Sequence, residues 1–263
     1  ICVDPRKTET ARIADIYLPI KGGTNMLFLN AMAHVIVTSD LVDHDFIVAH
    51  TTGFEEYAAE ISQKKYAPEA VSLATGLAAG DIRAAARLFA SSKHTITLWG
   101  MGVTQFSQGV ECVIACSNLN LMTGNYGRHA SGVGPVRGQN NVQGTCDMSL
   151  LPNNYPGYQP VADPQVRQKF EKAWGRPLPS KPGMMLTQVP HAVLEETNPR
   201  KQIHAYYIVG EDPAQSDPNL AEVRETLSNI EFVIVQDIFF NKTCEYADVI
   251  FPATAWGEHD AVY

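Results

Sequence analysis

No stretch of the 263 residues is apolar for long enough to cross a bilayer, because Asn, His and Asp interrupt the longest clusters. No signal peptide is readable. Positive charge is scarce: 20 Lys and Arg stand against 28 Asp and Glu, a net charge of -8, which argues against a nucleic-acid surface. The signatures of stand-alone catalysis are missing as well. There is no Walker loop, no HExxH helix, no strict nicotinamide fingerprint and no Ser/His/Asp set in a sensible context. Either a bound cofactor supplies the chemistry or there is none. Cys2, Cys112, Cys116, Cys146 and Cys244 are too scattered for a disulfide framework, which predicts a reducing, cytoplasmic setting. Cys112 and Cys116 would share a helix face. A metal site there would need a second pair nearby, and none exists, so both read as small apolar packing. The chain opens Ile-Cys-Val-Asp-Pro without Met, like the end of a strand whose partners precede it, so an internal fragment of a longer protein is expected.

What is present is an ordinary globular balance, 45% hydrophobic and 18% charged, in a length that suits one large or two medium domains. The expected strand Ile1–Asp4 ends in an acid, followed by Pro5 and Arg6. Such an acid can bind a ribose or a base edge, or cap the helix expected over Lys7–Ala14. After a strand over Ile16–Ile20, Gly22-Gly23-Thr24-Asn25 opens an amphipathic helix over Met26–Val37. The free amides of that helix start suit a phosphate, and a turn capped by Thr24 or Asn25 is the plainer reading. Residues 40–92 read as successive helices: Phe54–Ile61, Glu69–Thr75 behind Pro68, and Asp81–Ala90 with Ile82, Ala85, Ala86 and Phe89 at helical spacing. His34 reads as a packed or solvated helix residue, and His44 and His50 fall on polar connections. A buried strand, Thr95–Trp99, leads through Gly100-Met101-Gly102 into a helix from Thr104 to Met122. Gln105, in its first turn, faces either a ligand or solvent.

Residues 150–203 are rich in proline and weakly periodic, with one helix over Pro164–Trp174. A βαβ rhythm follows: strand His204–Val209, closed by Gly210-Glu211-Asp212-Pro213; helix Asn219–Ile230; strand Glu231–Gln236, ending at Asp237; and strand Ala247–Phe251 before Pro252–Glu258. Gly210 permits close backbone approach. The Asp237 carboxylate could accept two parallel N–H donors from a guanine edge, although a single strand-end Asp more often serves a cap or turn. Polar residues at three strand ends on one edge make a stronger pattern.

Between these halves lies Gly132–Gly144, with four glycines, Arg137 and the amide cluster Gln139, Asn140, Asn141 and Gln143. No aliphatic period runs through it, which predicts neither helix nor strand. It reads as a linker between domains, or as a loop folded over a large anionic ligand with Arg137 at the chemistry. Here a family likeness enters. PVRGQNNVQG (135–144), with WGMGVTQF (99–106), GEDP (210–213), VIVQDIF (233–239) and ATAWGEHD (253–260), occurs in an order that resembles the large catalytic subunit of molybdenum- or tungsten-dependent formate dehydrogenases. The likeness covers essentially the whole chain.

The resemblance implies an α/β fold of two dinucleotide-binding-like units with mainly parallel sheets, residues 1–139 and 140–263. Each would hold one of two molybdopterin guanine dinucleotides, with molybdenum or tungsten between them. Arg137 would orient the formate carboxylate. Asp4, Arg6, Gly23, Met101, Gly102, Gln105, Gly138 and Gln139 become cofactor-binding candidates in the first unit. Gly210, Glu211, Asp212, Gln236, Asp237, Thr254, Gly257 and Glu258 take that place in the second. The family's four-cysteine cluster motif and its Cys-His or selenocysteine-His pair are absent here, so a 4Fe-4S cluster and the metal ligand are expected upstream, with an iron–sulfur subunit or domain as electron partner. By itself this fragment would be inactive. Two relatives compete: the large iron–sulfur subunit of respiratory NADH dehydrogenases, and another oxidoreductase of the family such as a nitrate reductase. The former has no reason to keep Arg137 in an intact polar loop, and the intact motif favours formate dehydrogenase over the latter.

Overall fold

The chain combines helices with small, mostly parallel sheets, described in a computed structural model over residues 1–198 and 202–260. It divides into two units, residues 1–138 and 139–263.

In the first unit β1 (Cys2–Val3) and β2 (Tyr17–Leu18) pair in parallel across α1 (Glu9–Ile13). Asp4 does not cap α1. Thr8 does, its hydroxyl accepting the Ala11 amide at 3.3 Å, while Asp4 Oδ1 accepts the Arg6 amide at 2.7 Å. Next comes α2 (Asn25–Thr38), with Phe28, Leu29, Ala31, Met32, Ala33, Val35 and Ile36 all buried. The apolar face is therefore broad, leaving only a narrow polar stripe of Asn30, His34 and Thr38, and a helix of that kind has to be largely enclosed. His44 and His50 bound α3 (His44–His50) instead of lying on a connection, because the Asp43 carboxylate caps the helix at the Phe46 amide, 3.0 Å away. α4 (Phe54–Ile61), α5 (Pro68–Thr75) and α6 (Ala79–Ser91) pack around α2, and α6 buries the four positions its spacing indicated.

β3 (Ile96–Trp99) is buried on one face only: Trp99 is in the core, whereas Ile96 and Leu98 are 59% and 64% exposed. The helix expected over Thr104–Met122 starts only at Gly109, as α8 (Gly109–Met122), and the expected glycine turn forms a separate short helix, α7 (Met101–Thr104). Between them the chain folds back so closely that a Cβ on Gly109 would stand 2.2 Å from the Thr104 carbonyl oxygen. β4 (Gly132–Pro135) then pairs in parallel with β3, Ile96 opposite Gly132 and Trp99 opposite Pro135. The first part of the supposed loop is thus a strand. With Val133 as its one core contact it has no side-chain period, and its pairing rests on the backbone ladder. Buried Asn125 holds both strand starts, its Oδ1 accepting the Thr95 amide at 3.0 Å and the Ser131 hydroxyl at 3.1 Å.

The second unit opens with α9 (Val142–Asp147), so the last part of the supposed loop is helical. Asn141 enters it in a left-handed conformation (φ 55°), and Gly144 leaves room for the Asn141 amide, which a Cβ there would meet at 2.3 Å. A hairpin of β5 (Asn154–Tyr155) and β6 (Gln159–Pro160) packs Tyr155 against Phe170 of α10 (Pro164–Trp174), ring centroids 4.6 Å apart. α10 keeps the ends read from its sequence, capped by Asp163 and stopped by left-handed Gly175. After α11 (Val189–Leu194) come β7 (Ala205–Val209), α12 (Pro213–Ser216), α13 (Leu220–Asn229), β8 (Phe232–Asp237) and β9 (Val249–Pro252). The three strands form one parallel sheet, Val209 opposite Gln236 and Asp237 opposite Pro252. Ile208, Val233 and Val235 turn to a core with Leu227 of α13, while Tyr207 and Val209 on the other face are 53% and 59% exposed.

Candidate functional site

Polar residues gather beyond the carboxyl ends of the parallel strands in both units, where open α/β sheets bind ligands. In the first unit the turn after β3 is tied to the start of α2. The Asn25 side chain donates to the Gly102 carbonyl at 3.0 Å, and a Cβ on Gly23 (φ 81°) would lie 4.0 Å from the Phe106 ring. Gly23, Met101, Gly102 and Gln105 are therefore one neighbourhood, assembled by Asn25 and Phe106. Neither Thr24 nor Asn25 caps α2: the Thr24 hydroxyl donates to Lys21 O at 2.7 Å, and no side chain bonds the first amides of the helix. Met101 is 56% exposed, and a side chain on Gly102 or Gly138 would meet nothing within 4 Å, so the surface there is open. Gln105 ends α7, its amide donating to Met101 O at 2.9 Å, instead of lying in a first helical turn.

Arg137 leaves from the same edge. The Val136 amide donates to Trp99 O at 2.7 Å, and a Cβ on Gly100 would be 4.0 Å from Val136 O. Arg137, Gly138 and Gln139 are exposed. Asp4 and Arg6 belong to the separate sheet of β1 and β2, at the end of β1.

The second edge is more tightly knit. The Gly210 amide (φ 64°) donates to Gln236 O at 2.9 Å, and the Tyr207 hydroxyl donates to Gln236 Oε1. Asp212 faces inward: its Oδ1 accepts the Thr243 amide at 2.9 Å and the Thr243 hydroxyl at 2.7 Å, which pins the turn after β7 to the segment after β8. The half-buried Asp237 accepts the Phe239 amide on Oδ1 and the Asn241 side chain on Oδ2, both at 2.9 Å. Asp237 O also accepts the Ala253 amide at 3.0 Å, bringing the turn with Thr254, Gly257 and Glu258 alongside. Within that turn Glu258 Oε2 accepts the Ala255 amide at 2.8 Å, and Thr254 Oγ1 lies 3.1 Å from His259 Nδ1. Partial shielding from water, then the nearby Asp217, pushes the Glu211 carboxyl above the usual carboxylate range.

Sequence reasoning passed over Tyr207, Asn241 and Thr243 as site residues. Each acts on a partner 29, 4 or 31 residues away. Only the Asn241 spacing, four residues past a strand-end acid, was a readable signal. Among the described residues no three His, Cys, Asp or Glu are grouped to hold a metal ion. The five cysteines are free, and burial pushes the Cys116 thiol up to about 11.

Parallel strands with glycines, amides and carboxylates past their ends define an α/β protein with the strand-end arrangement at which open sheets take polar ligands. The molybdopterin oxidoreductase family matches residues 1–263. Formate dehydrogenase H of Escherichia coli strain K12 is 51% identical over 264 residues, covering 100% of this chain and 36% of that protein. A formate dehydrogenase subunit alpha of Methanocaldococcus jannaschii is 42% identical over 100% of this chain and 38% of its own length. The fold is similar to that of acetylene hydratase from Pelobacter acetylenicus, with a TM-score of 0.69 and 22% identity over 98% of this chain and 37% of that one. The chain belongs to the molybdopterin oxidoreductase family. It spans a little over a third of the length of these two formate dehydrogenase relatives.

Proposed function

We propose that this chain is the central part of a formate dehydrogenase catalytic subunit, each unit holding one of two molybdopterin guanine dinucleotides. The residues present fit such a group. Open glycine backbone and a helix start without a side-chain cap in the first unit suit phosphates. In the second, Asp237 keeps a lone pair on each carboxylate oxygen beyond its two bonds, enough for the paired N–H donors of a guanine. Gly23, Met101, Gly102, Gln105 and Gly138 would line the first subsite, with Asp4 and Arg6 at its β1 end and Gln139 at the start of the second unit. Gly210, Glu211, Gln236, Asp237 and the turn with Thr254, Gly257 and Glu258 would line the second, and Asp212 would hold its floor. When bound, the cofactor would supply two-electron redox chemistry for the conversion of formate to carbon dioxide and a proton. The electrons would pass to an iron–sulfur cluster in another part of the enzyme or in a partner.

The observation that carries this reading is the exit of Arg137 at the edge shared with Gly100–Gly102. A planar guanidinium there can grip a carboxylate with two parallel donors and stabilise charge as it develops. Lysine keeps the charge and loses the fork. Arg137→Lys in the full-length enzyme is expected to leave molybdenum or tungsten content near wild type and lower kcat for formate about 100-fold. Unchanged turnover would remove Arg137 from the chemistry. Nitrate reduction in place of formate oxidation, or a purified enzyme with neither metal, would overturn the assignment.

A further inference from the structure

Asp237 is not held by its own strand alone. Asn241 acts as a hub at this edge: its Nδ2 donates to Asp237 Oδ2 at 2.9 Å and to the Glu211 carbonyl at 3.3 Å, while its Oδ1 accepts the Cys244 amide at 3.2 Å. A backbone N–H can only donate, so the Asn241 oxygen must face Cys244 and the NH2 must face the two acceptors. With the Phe239 amide on Oδ1, one donor then stands on each oxygen of the Asp237 carboxylate, which sets its plane. The same amide group ties that plane to the turn after β7.

We infer that Asn241 is a positioning residue, which orients the Asp237 carboxylate toward a planar ligand edge carrying two N–H donors, as a guanine does. This rests on the reading of Asp237 as a guanine-binding residue. The alternative is that Asn241 merely caps the short 3₁₀ turn over Lys242–Tyr246. The cap needs only the oxygen, whereas positioning needs the NH2, and that difference separates the two roles. Serine keeps a side-chain oxygen for the cap and loses the reach to Asp237. Aspartate also keeps the cap, but sets a carboxylate against Asp237, so that a shared proton is required to restore the bond.

The experiment uses full-length enzyme and measures guanine nucleotide released on denaturation per protein, after prolonged dialysis from pH 5 to pH 8. Circular dichroism confirms folding, and Asp237→Ala is run in parallel. Asn241→Ser is expected to weaken retention about tenfold, the scale of one charge-assisted hydrogen bond. Asn241→Asp is expected to lose nucleotide at pH 8 and regain it toward pH 5. Glu211 and Asp212 on the turn after β7, Lys242 and Glu245 on the 3₁₀ turn, and Glu258 and His259 on the turn after β9 are titratable or charged groups nearby, so each profile is read against that of the wild type. Wild-type retention in Asn241→Ser, or loss in Asn241→Asp with no recovery at low pH, would overturn the inference. If Asp237→Ala loses its nucleotide while Asn241→Ser keeps it, the positioning role alone falls. If Asp237→Ala keeps full occupancy, the guanine reading falls and takes this inference with it.

Discussion

Glu211 and Asp217 show how a single residue can report on its surroundings. Desolvation raises both carboxyls, Asp217 adds to the shift on Glu211, and a Ser216 hydrogen bond partly offsets the shift on Asp217. A carboxyl whose folded pKa lies above its unfolded value holds its proton more tightly in the native state. Ionisation then costs stability, progressively, as pH rises from the unfolded value of about 4 through the raised folded value. Asp217→Asn is therefore expected to raise the thermal midpoint relative to wild type at pH 7.5 and to lose that advantage at pH 4. A difference that stays constant with pH in a melting series would show that the charge is not the cause. GEDP was legible as a polar strand end. Which acid is held inward and which is left at the surface was not, because Asp212 is claimed by Thr243, 31 residues on.

At the level of elements, readability followed the physical origin of each one. α6 buries Ile82, Ala85, Ala86 and Phe89 on one face, so spacing located it, and α10 starts at Pro164 behind its Asp163 cap and ends before left-handed Gly175. β4 (Gly-Val-Gly-Pro) and α9 (Val-Gln-Gly-Thr-Cys-Asp) each hold a single large aliphatic residue and bury none fully, so no period marked them. The break between α7 and α8 was equally invisible, although it shapes the turn carrying Met101 and Gly102. Gly109→Ala would force a methyl against the Thr104 backbone, where no flexible side chain can yield. A loss of about 1–3 kcal/mol in chemical denaturation is expected, as for other overpacked sites. Gly102→Ala, which points into open space, serves as the control and should stay within about 0.5 kcal/mol of wild type. Equal stability of the two variants would show that the close approach at Gly109 is relaxed in solution.

Over the whole molecule, each unit has its own core, and the cysteines divide between them. Cys112 and Cys116 pack in the first core and Cys244 in the second, while Cys2 and Cys146 are half-buried. Burial also holds the Cys112 and Cys116 thiols in their unreactive protonated form. Timed alkylation of the native protein, read out by peptide mass spectrometry, should therefore modify Cys2 and Cys146 before the other three. Early modification of Cys116 would show that the first core opens more readily than its packing implies.

Residue order alone accounts for the alternation of strands and helices, for α10 with its Asp163 and Gly175 ends, for the polar strand ends and for the family motifs. These features depend on local propensity, spacing and turn chemistry, which act within a few residues. Tertiary packing settled that residues 132–135 pair with β3, that Asn25 clasps Gly102, that Asp212 is taken up by Thr243, and that Asn241 reaches both Glu211 and Asp237. Most of these contacts join residues 30 to 77 positions apart. A hydrogen bond of that kind is set by which strand ends lie side by side in space, and it leaves no periodic trace along the chain.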